Sequence, residues 1–293
     1  MTLRDGRCHD PLQLWLRQQS PYQAICAYWQ LGDDARWWQN GEWVPSFLRC
    51  RDGCGHANPL FQAERLGNLH YAVLEKFFHA DTHRNRLRAA LEQPDTNDIA
   101  QRGQKWSTVD DAIGAFIWSL SGSLDALAGE ATLIMGYGYS IWEAQLTALQ
   151  EWMGKAPIGE FQPLAGHWES VKSALRRQLR GRPQRWSDDL ATYRNAVTHR
   201  PFMLKLIRRA GPGQTQTLHL PTDPSQLPSM TEHDRAYRRD DVLEFFDALS
   251  GRVADTISAV HEVMVATYGF RANEPNLRND CSLHWEPPPR RCC

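Results

Sequence analysis

The residues best suited to chemistry lie in one short stretch, residues 187–202, which contains Arg194, Asn195 and His199. The guanidinium of arginine is permanently charged and can grip phosphate oxygens with two parallel hydrogen bonds. Histidine titrates near neutral pH, so an imidazole can take a proton from a ribose hydroxyl and return one to a leaving group. With an amide beside them, these groups predict chemistry on a phosphodiester that needs no metal.

The spacing of the three residues sets a geometric condition on any shared site. Asn195 and His199 are four residues apart, so a helix places both on one face. Arg194 and His199 project about 140° apart on an ideal helix. They would meet on one substrate only if the helix frays at Pro201 or if two copies of it face each other.

The Arg-to-His spacing alone does not indicate function, because it recurs at Arg4/His9, Arg65/His70 and Arg278/His284. The Arg194 segment differs from those cases because it lies on a predicted helix between other strong helices. An ordinary polar surface at a helix end is the alternative interpretation of the same residues.

A basic stretch surrounds this segment. Residues 172–209 hold eleven Lys or Arg residues against two Asp residues, an excess of nine positive charges in a chain whose net charge is −1. Such a stretch can attract a phosphate backbone, and the predicted substrate-binding residues are Arg176, Arg177, Arg180 and Arg200. Alternatively, arginines near 176–180 favour the carboxyl end of their own helix.

The bulk composition is that of a globular protein: 293 residues, 42% hydrophobic and 23% charged. No apolar run approaches the ~18 residues of a membrane helix, and no signal peptide is visible, which predicts a cytoplasmic protein. Seven cysteines without a regular framework indicate free thiols. The Cys50-x3-Cys54-x-His56 segment departs from the usual metal-ligand spacing, so we interpret it as a loop.

Hydrophobic periodicity predicts an all-α core. We expect helices from Pro59 to about residue 92, from a capping box at Ser107 to Gly136, and over 142–153, 168–179 and 187–200, with a last helix from Asp240 or Asp241 to Gly269. A small β-hairpin is expected over 203–220. The predicted domains are an irregular Trp-rich region plus a helix (1–100), a helical bundle (101–270) and a Pro-rich tail (271–293).

A long helix carries Ser-Leu-Asp-Ala-Leu-Ala at 123–128, and a later helix carries Arg-Asn-x3-His at 194–199. This order of the helices resembles that of the HEPN superfamily. The resemblance implies a bundle of four to five helices and a metal-independent endoribonuclease without cofactor, leaving 2′,3′-cyclic phosphate and 5′-hydroxyl ends. It implies catalytic roles for Arg194, Asn195 and His199, with Asp125 in support. Expected partners are RNA, a second copy of the chain and an antitoxin or regulatory protein. The alternative is an inactive module that binds RNA, a nucleotide or a protein.

Overall fold

The computed structural model describes residues 59–94, 96–136, 144–145, 151, 159–179, 186–199, 205–208, 217–224 and 236–272. Several predictions lie outside these residues: the Trp-rich segment 1–58 with Cys50, Cys54 and His56, nearly all of the helix at 142–153, the substrate-binding candidates Arg180 and Arg200, and the tail beyond residue 272.

The described part of the chain is mostly helical, as the periodicity predicts. Its elements in order are α1 (Pro59–Glu92), α2 (Ile99–Met135), a 3₁₀ helix (Gly159–Leu164), α3 (Ala165–Leu179), α4 (Trp186–His199), β1 (Leu206–Arg208), β2 (Thr217–His219) and α5 (Val242–Ala272). The predicted hairpin is confirmed, because β1 and β2 pair antiparallel with Ile207 opposite Leu218.

The apolar stripes that predict the long helices are confirmed by their burial. On α2 the stripe from Ile113 to Ala131 is buried, and on α5 so is the stripe from Val242 to Met264. Gly136 adopts a left-handed conformation (φ 69°) directly after α2, and its N–H donates to the carbonyl of Thr132. A glycine in that conformation ends a helix without steric cost.

The predicted start of α2 and the predicted end of α5 are wrong. Helix α2 begins at Ile99 rather than at Ser107, because Asp98 caps it by accepting hydrogen bonds from the N–H groups of Ala100 (2.8 Å) and Gln101 (3.4 Å). Residues 99–104, in the first two turns of α2, are all exposed, so these turns carry no buried apolar stripe. Helix α5 continues past Gly269 to Ala272 because Arg271, at its end, is buried and hydrogen-bonded.

The chain divides into two compact units. The first comprises Met1–Leu74, Ser123–Gly181 and Val253–Cys293, and the second comprises Glu75–Gly122 and Arg182–Arg252. Helices α1, α2 and α5 contribute residues to both.

The first unit is held together by an apolar core and by buried polar contacts. The indole N–H of Trp168 on α3 donates to the carbonyl of Met135 at 2.9 Å. Arg271 donates to the carbonyls of Leu133 (3.2 Å) and Ile134 (2.8 Å) in the last turn of α2. A buried carboxyl–imidazole contact joins Glu130 to His70.

The second unit packs the first half of α5 against α2 and α4. Phe116 and Phe246 stack with ring centroids 3.7 Å apart, and the Tyr193 ring lies 5.3 Å from that of Phe245. Arg84 of α1 donates two hydrogen bonds of 2.5 Å to the carboxylate of Asp247. These contacts fix the helix that carries the predicted site.

By length and composition α2 is apolar enough to cross a membrane: an 18-residue window in it has a mean hydropathy of 1.2. Of that window, 72% is buried inside the fold. Burial of this extent is typical of the core helix of a globular protein.

Candidate functional site

Helix α4 is anchored through one face. Trp186, Leu190, Tyr193 and Ala196 are buried on it, which is the amphipathic spacing that binds a helix to a core. Val197, which the sequence pattern places on the buried stripe, is only half-buried, and Ala196 takes its place. Asp188 and Asp189 in the first turn favour the positive end of the helix dipole.

A polar cluster locks this inner face in position. The Tyr193 hydroxyl donates to the carbonyl of Pro221, and burial raises the pKa of that hydroxyl, so it stays a neutral donor. Arg238 donates to Asp189 and to Asp240, at 3.2 Å each, and its guanidinium lies 3.9 Å from the Phe245 ring centroid. Burial opposes the charge of Arg238, but Tyr193, Asp240 and Asp189 outweigh it and raise the pKa of the guanidinium.

The opposite face of α4 carries the predicted chemistry. The side chains of Asn195 and His199 are exposed, and His199 is the last residue of the helix. The structure therefore brings the amide and the imidazole to one solvent-facing row at the carboxyl end of α4. The Thr198 hydroxyl donates to the carbonyl of Arg194 at 2.7 Å, which continues the helical pattern through this turn.

Arg194 lies on the flank of the helix, half-buried, and contacts an aromatic ring. Its guanidinium carbon is 5.1 Å from the ring centroid of Trp118 on α2, within the range of a cation–π interaction. Trp118 keeps 44% of its surface exposed despite this contact.

Trp118 is not among the candidate site residues that the sequence predicts, although its position on the helical wheel of α2 is unusual. On a helical wheel Trp118 projects about 145° from the centre of the stripe formed by Ile113, Phe116, Ile117, Leu120 and Leu124. A tryptophan on the polar side of an amphipathic helix is not explained by core packing.

The regular course of α4 through His199 bears on the geometry of the candidate site. Because α4 stays helical through His199, Arg194 and His199 project about 140° apart within one copy. Fraying before His199 therefore does not bring them together, and Pro201 lies outside the described residues. The other condition, a second copy of α4 that faces the first, stays a prediction.

A small cleft opens beside the Asn195 row. It has a volume of about 260 Å³ and is lined by Asp189, Thr192, Tyr193, Thr222, Asp223 and Pro224. Thr192 stands three residues before Asn195 on the same side of α4. Two carboxylates among its lining residues make the cleft better suited to hydrogen-bond donors than to phosphate.

Part of the basic stretch is neutralised by neighbours outside it. Lys172 is buried and pairs with Glu169, with 2.8 Å between Nζ and Oε1. Lys205 pairs with Asp110, and burial lowers the pKa of Lys205 to about 8. Among the described residues, at least two of the positive charges in the excess of nine are therefore paired with carboxylates outside the stretch.

The remaining described candidates all belong to the first unit. Asp125 on α2 is half-buried in the first unit, and Arg176 and Arg177 are exposed on α3 of the same unit. Arg194, Asn195 and His199 belong to the second unit, together with Trp118.

Comparison of the chain with protein-family models, with curated proteins and with solved structures finds no match.

Proposed function

We propose that this chain is a metal-independent endoribonuclease of the HEPN type, acting in the cytoplasm as a toxin or defence effector. The observation that supports the proposal is the exposed row of Asn195 and His199 at the end of α4, flanked by Arg194. Polar side chains on a helix whose other face is fully engaged in packing are available to a substrate.

His199 acts as the general base in this mechanism. Its imidazole takes the proton of a ribose 2′-hydroxyl, the 2′-oxygen attacks the adjacent phosphorus, and the bond from phosphorus to the 5′-oxygen breaks. The leaving 5′-oxygen then receives a proton from the imidazolium or from water. The products carry a 2′,3′-cyclic phosphate and a 5′-hydroxyl, so atoms and charge balance without a further reactant.

Arg194 and Asn195 act on the phosphate. The guanidinium stabilises the negative charge that develops on the non-bridging oxygens, and the amide of Asn195 orients the scissile group. Because one α4 helix separates Arg194 from His199 by about 140°, we place the working site across a twofold axis. There, the arginine of one copy faces the histidine of the other.

Cleavage of labelled RNA in EDTA tests the assignment. His199→Ala should lose cleavage while its thermal midpoint stays near that of the wild type, because the side chain is exposed at the helix end. His79→Ala is the matched control, since His79 is also exposed but lies on α1, outside the motif. His199→Ala protein that cuts RNA at the wild-type rate would show that the reaction does not use this site.

A second candidate function is an inactive module that binds RNA. The observation that favours it is the regular helix, which keeps Arg194 and His199 apart in one copy. RNA binding without cleavage, by the wild type and by His199→Ala alike, would identify this function.

A further inference from the structure

We propose that Trp118 stacks a base of single-stranded RNA beside Arg194, so that one nucleotide is held by its base and its phosphate together. This inference rests on the proposed RNA-binding function and adds a residue that the Arg-Asn-x3-His motif does not contain. It assigns the substrate as an unpaired strand, since only an unpaired base can present its face to the ring.

The exposure of Trp118 is the first observation. Tryptophan is highly buried on average because its ring carries a large apolar surface, although its size means that it is rarely buried completely. Trp118 leaves 44% of its surface in solvent, while Phe116 and Ile117 beside it in the sequence are fully buried. The direction of Trp118 away from the apolar stripe of α2 explains this exposure, and core packing gives no reason for a tryptophan there.

The position of Arg194 is the second observation. Its guanidinium packs on the Trp118 ring at 5.1 Å, so the contact orients a permanent positive charge next to an exposed aromatic surface. A nucleotide carries its base and its phosphate only a few bonds apart. An RNA strand can therefore stack a base on the exposed part of Trp118 and place the adjoining phosphate at Arg194.

The surroundings favour a nucleic acid over a second protein chain at Trp118. Arg194 belongs to a basic stretch whose positive charge attracts a phosphate backbone, and its guanidinium lies directly against the Trp118 ring. An aromatic ring next to an arginine is the combination that binds single strands without sequence preference.

Binding of a single-stranded 2′-O-methyl oligonucleotide tests the proposal, because a blocked 2′-oxygen prevents cleavage by the wild-type chain. Trp118→Ala should weaken binding by about tenfold or more, given the usual contribution of one base–aromatic stack, and Trp118→Phe should recover part of the loss. Trp106→Ala is the control, since Trp106 lies on the same helix with Lys105 5.7 Å from its ring centroid. It stands about 18 Å further along the axis and should bind like the wild type.

An oligonucleotide with abasic sites separates stacking from support of Arg194. If Trp118 stacks a base, Trp118→Ala and the wild type should bind the abasic strand equally. Equal weakening on both strands would mean that Trp118 only supports Arg194 and would overturn the proposal, as would unchanged binding by Trp118→Ala. A change in sedimentation of Trp118→Ala without RNA would instead assign the ring to contacts between copies.

The proposed function and this inference fail in different ways. Wild-type protein that binds the oligonucleotide through Trp118 but cuts no RNA refutes the nuclease and leaves the stacking intact. Wild-type protein that cuts RNA while Trp118→Ala binds normally refutes only the stacking. Wild-type protein that neither binds the oligonucleotide nor cuts RNA refutes both.

Discussion

A buried cluster of His70, Glu130 and His261 predicts how stability depends on pH. Nδ1 of His70 lies 2.9 Å from Oε1 of Glu130, and the rings of His70 and His261 have centroids 5.7 Å apart. Burial lowers the pKa of His70 to about 4, and burial together with the charge of His70 lowers that of His261 to about 3. Burial raises the pKa of Glu130. At neutral pH both imidazoles are therefore uncharged, and burial favours the uncharged form of Glu130 as well.

The perturbation is His261→Phe, which keeps a ring at the site and removes one titrating group. Because the folded pKa of His261 is lowered, its contribution to stability is complete above the unfolded value of 6.5 and is lost as the pH falls below it. At pH 5 the unfolded state has bound about one proton more than the folded state. Because pH 5 lies about 1.5 units below the unfolded pKa, the contribution of His261 to the free energy of unfolding is about 2 kcal/mol smaller at pH 5 than at pH 8.

Urea unfolding of both proteins at pH 5 and pH 8 measures this difference. The free energy of unfolding of the wild type should fall by about 2 kcal/mol more than that of His261→Phe between the two values. Glu130 acts in the opposite direction, but it is present in both proteins, so its effect largely cancels. Met264→Leu, an apolar change at a buried position on the same helix, should keep the wild-type pH dependence. Parallel curves for the wild type and His261→Phe would refute the assignment of His261 as a buried neutral group.

Two further predictions concern Arg271, which binds the carboxyl end of α2, and the site shared between two copies. Arg271→Ala should lower the free energy of unfolding by about 3 kcal/mol, because it leaves buried carbonyls of Leu133 and Ile134 without their donor; calorimetry showing a change below 1 kcal/mol would contradict this role. Mixing Arg194→Ala protein with His199→Ala protein should restore RNA cleavage towards one working site per dimer, if each site takes its arginine from one copy and its histidine from the other. No activity in the mixture, with dimers confirmed by sedimentation, would contradict the shared site.

The sequence predicts most of the helices because their packing is periodic. The stripes of α2 and α5 repeat every three or four residues, and each member is buried in the structure. Helix ends are less predictable, since they depend on single contacts. The first turns of α2 are held by the Asp98 cap and have no apolar stripe to reveal them. The end of α5 is fixed by Arg271, whose partners lie 137 and 138 residues earlier in the chain.

The candidate site was only partly predictable for a similar reason. Arg194, Asn195 and His199 are adjacent in sequence, so their place on one helix follows from local pattern. The contact between Arg194 and Trp118 joins α4 to a helix 76 positions earlier, and a single sequence contains no signal that pairs them. The sequence does place Trp118 on the polar side of α2. This position indicates an exposed ring but does not identify the residue that contacts it.

The two faces of α4 separate stability from chemistry. Tyr193 and the Arg238 cluster bind the inner face through groups that are buried and hydrogen-bonded, so changes there remove packing and leave polar atoms unsatisfied. Asn195 and His199 stand on the outer face, where truncation costs little packing. Arg194 lies between the two faces, half-buried, with its guanidinium against the exposed Trp118 ring. A guanidinium held in this way keeps its orientation at the surface, where a phosphate can reach it, and this is the arrangement that a site for RNA at this helix requires.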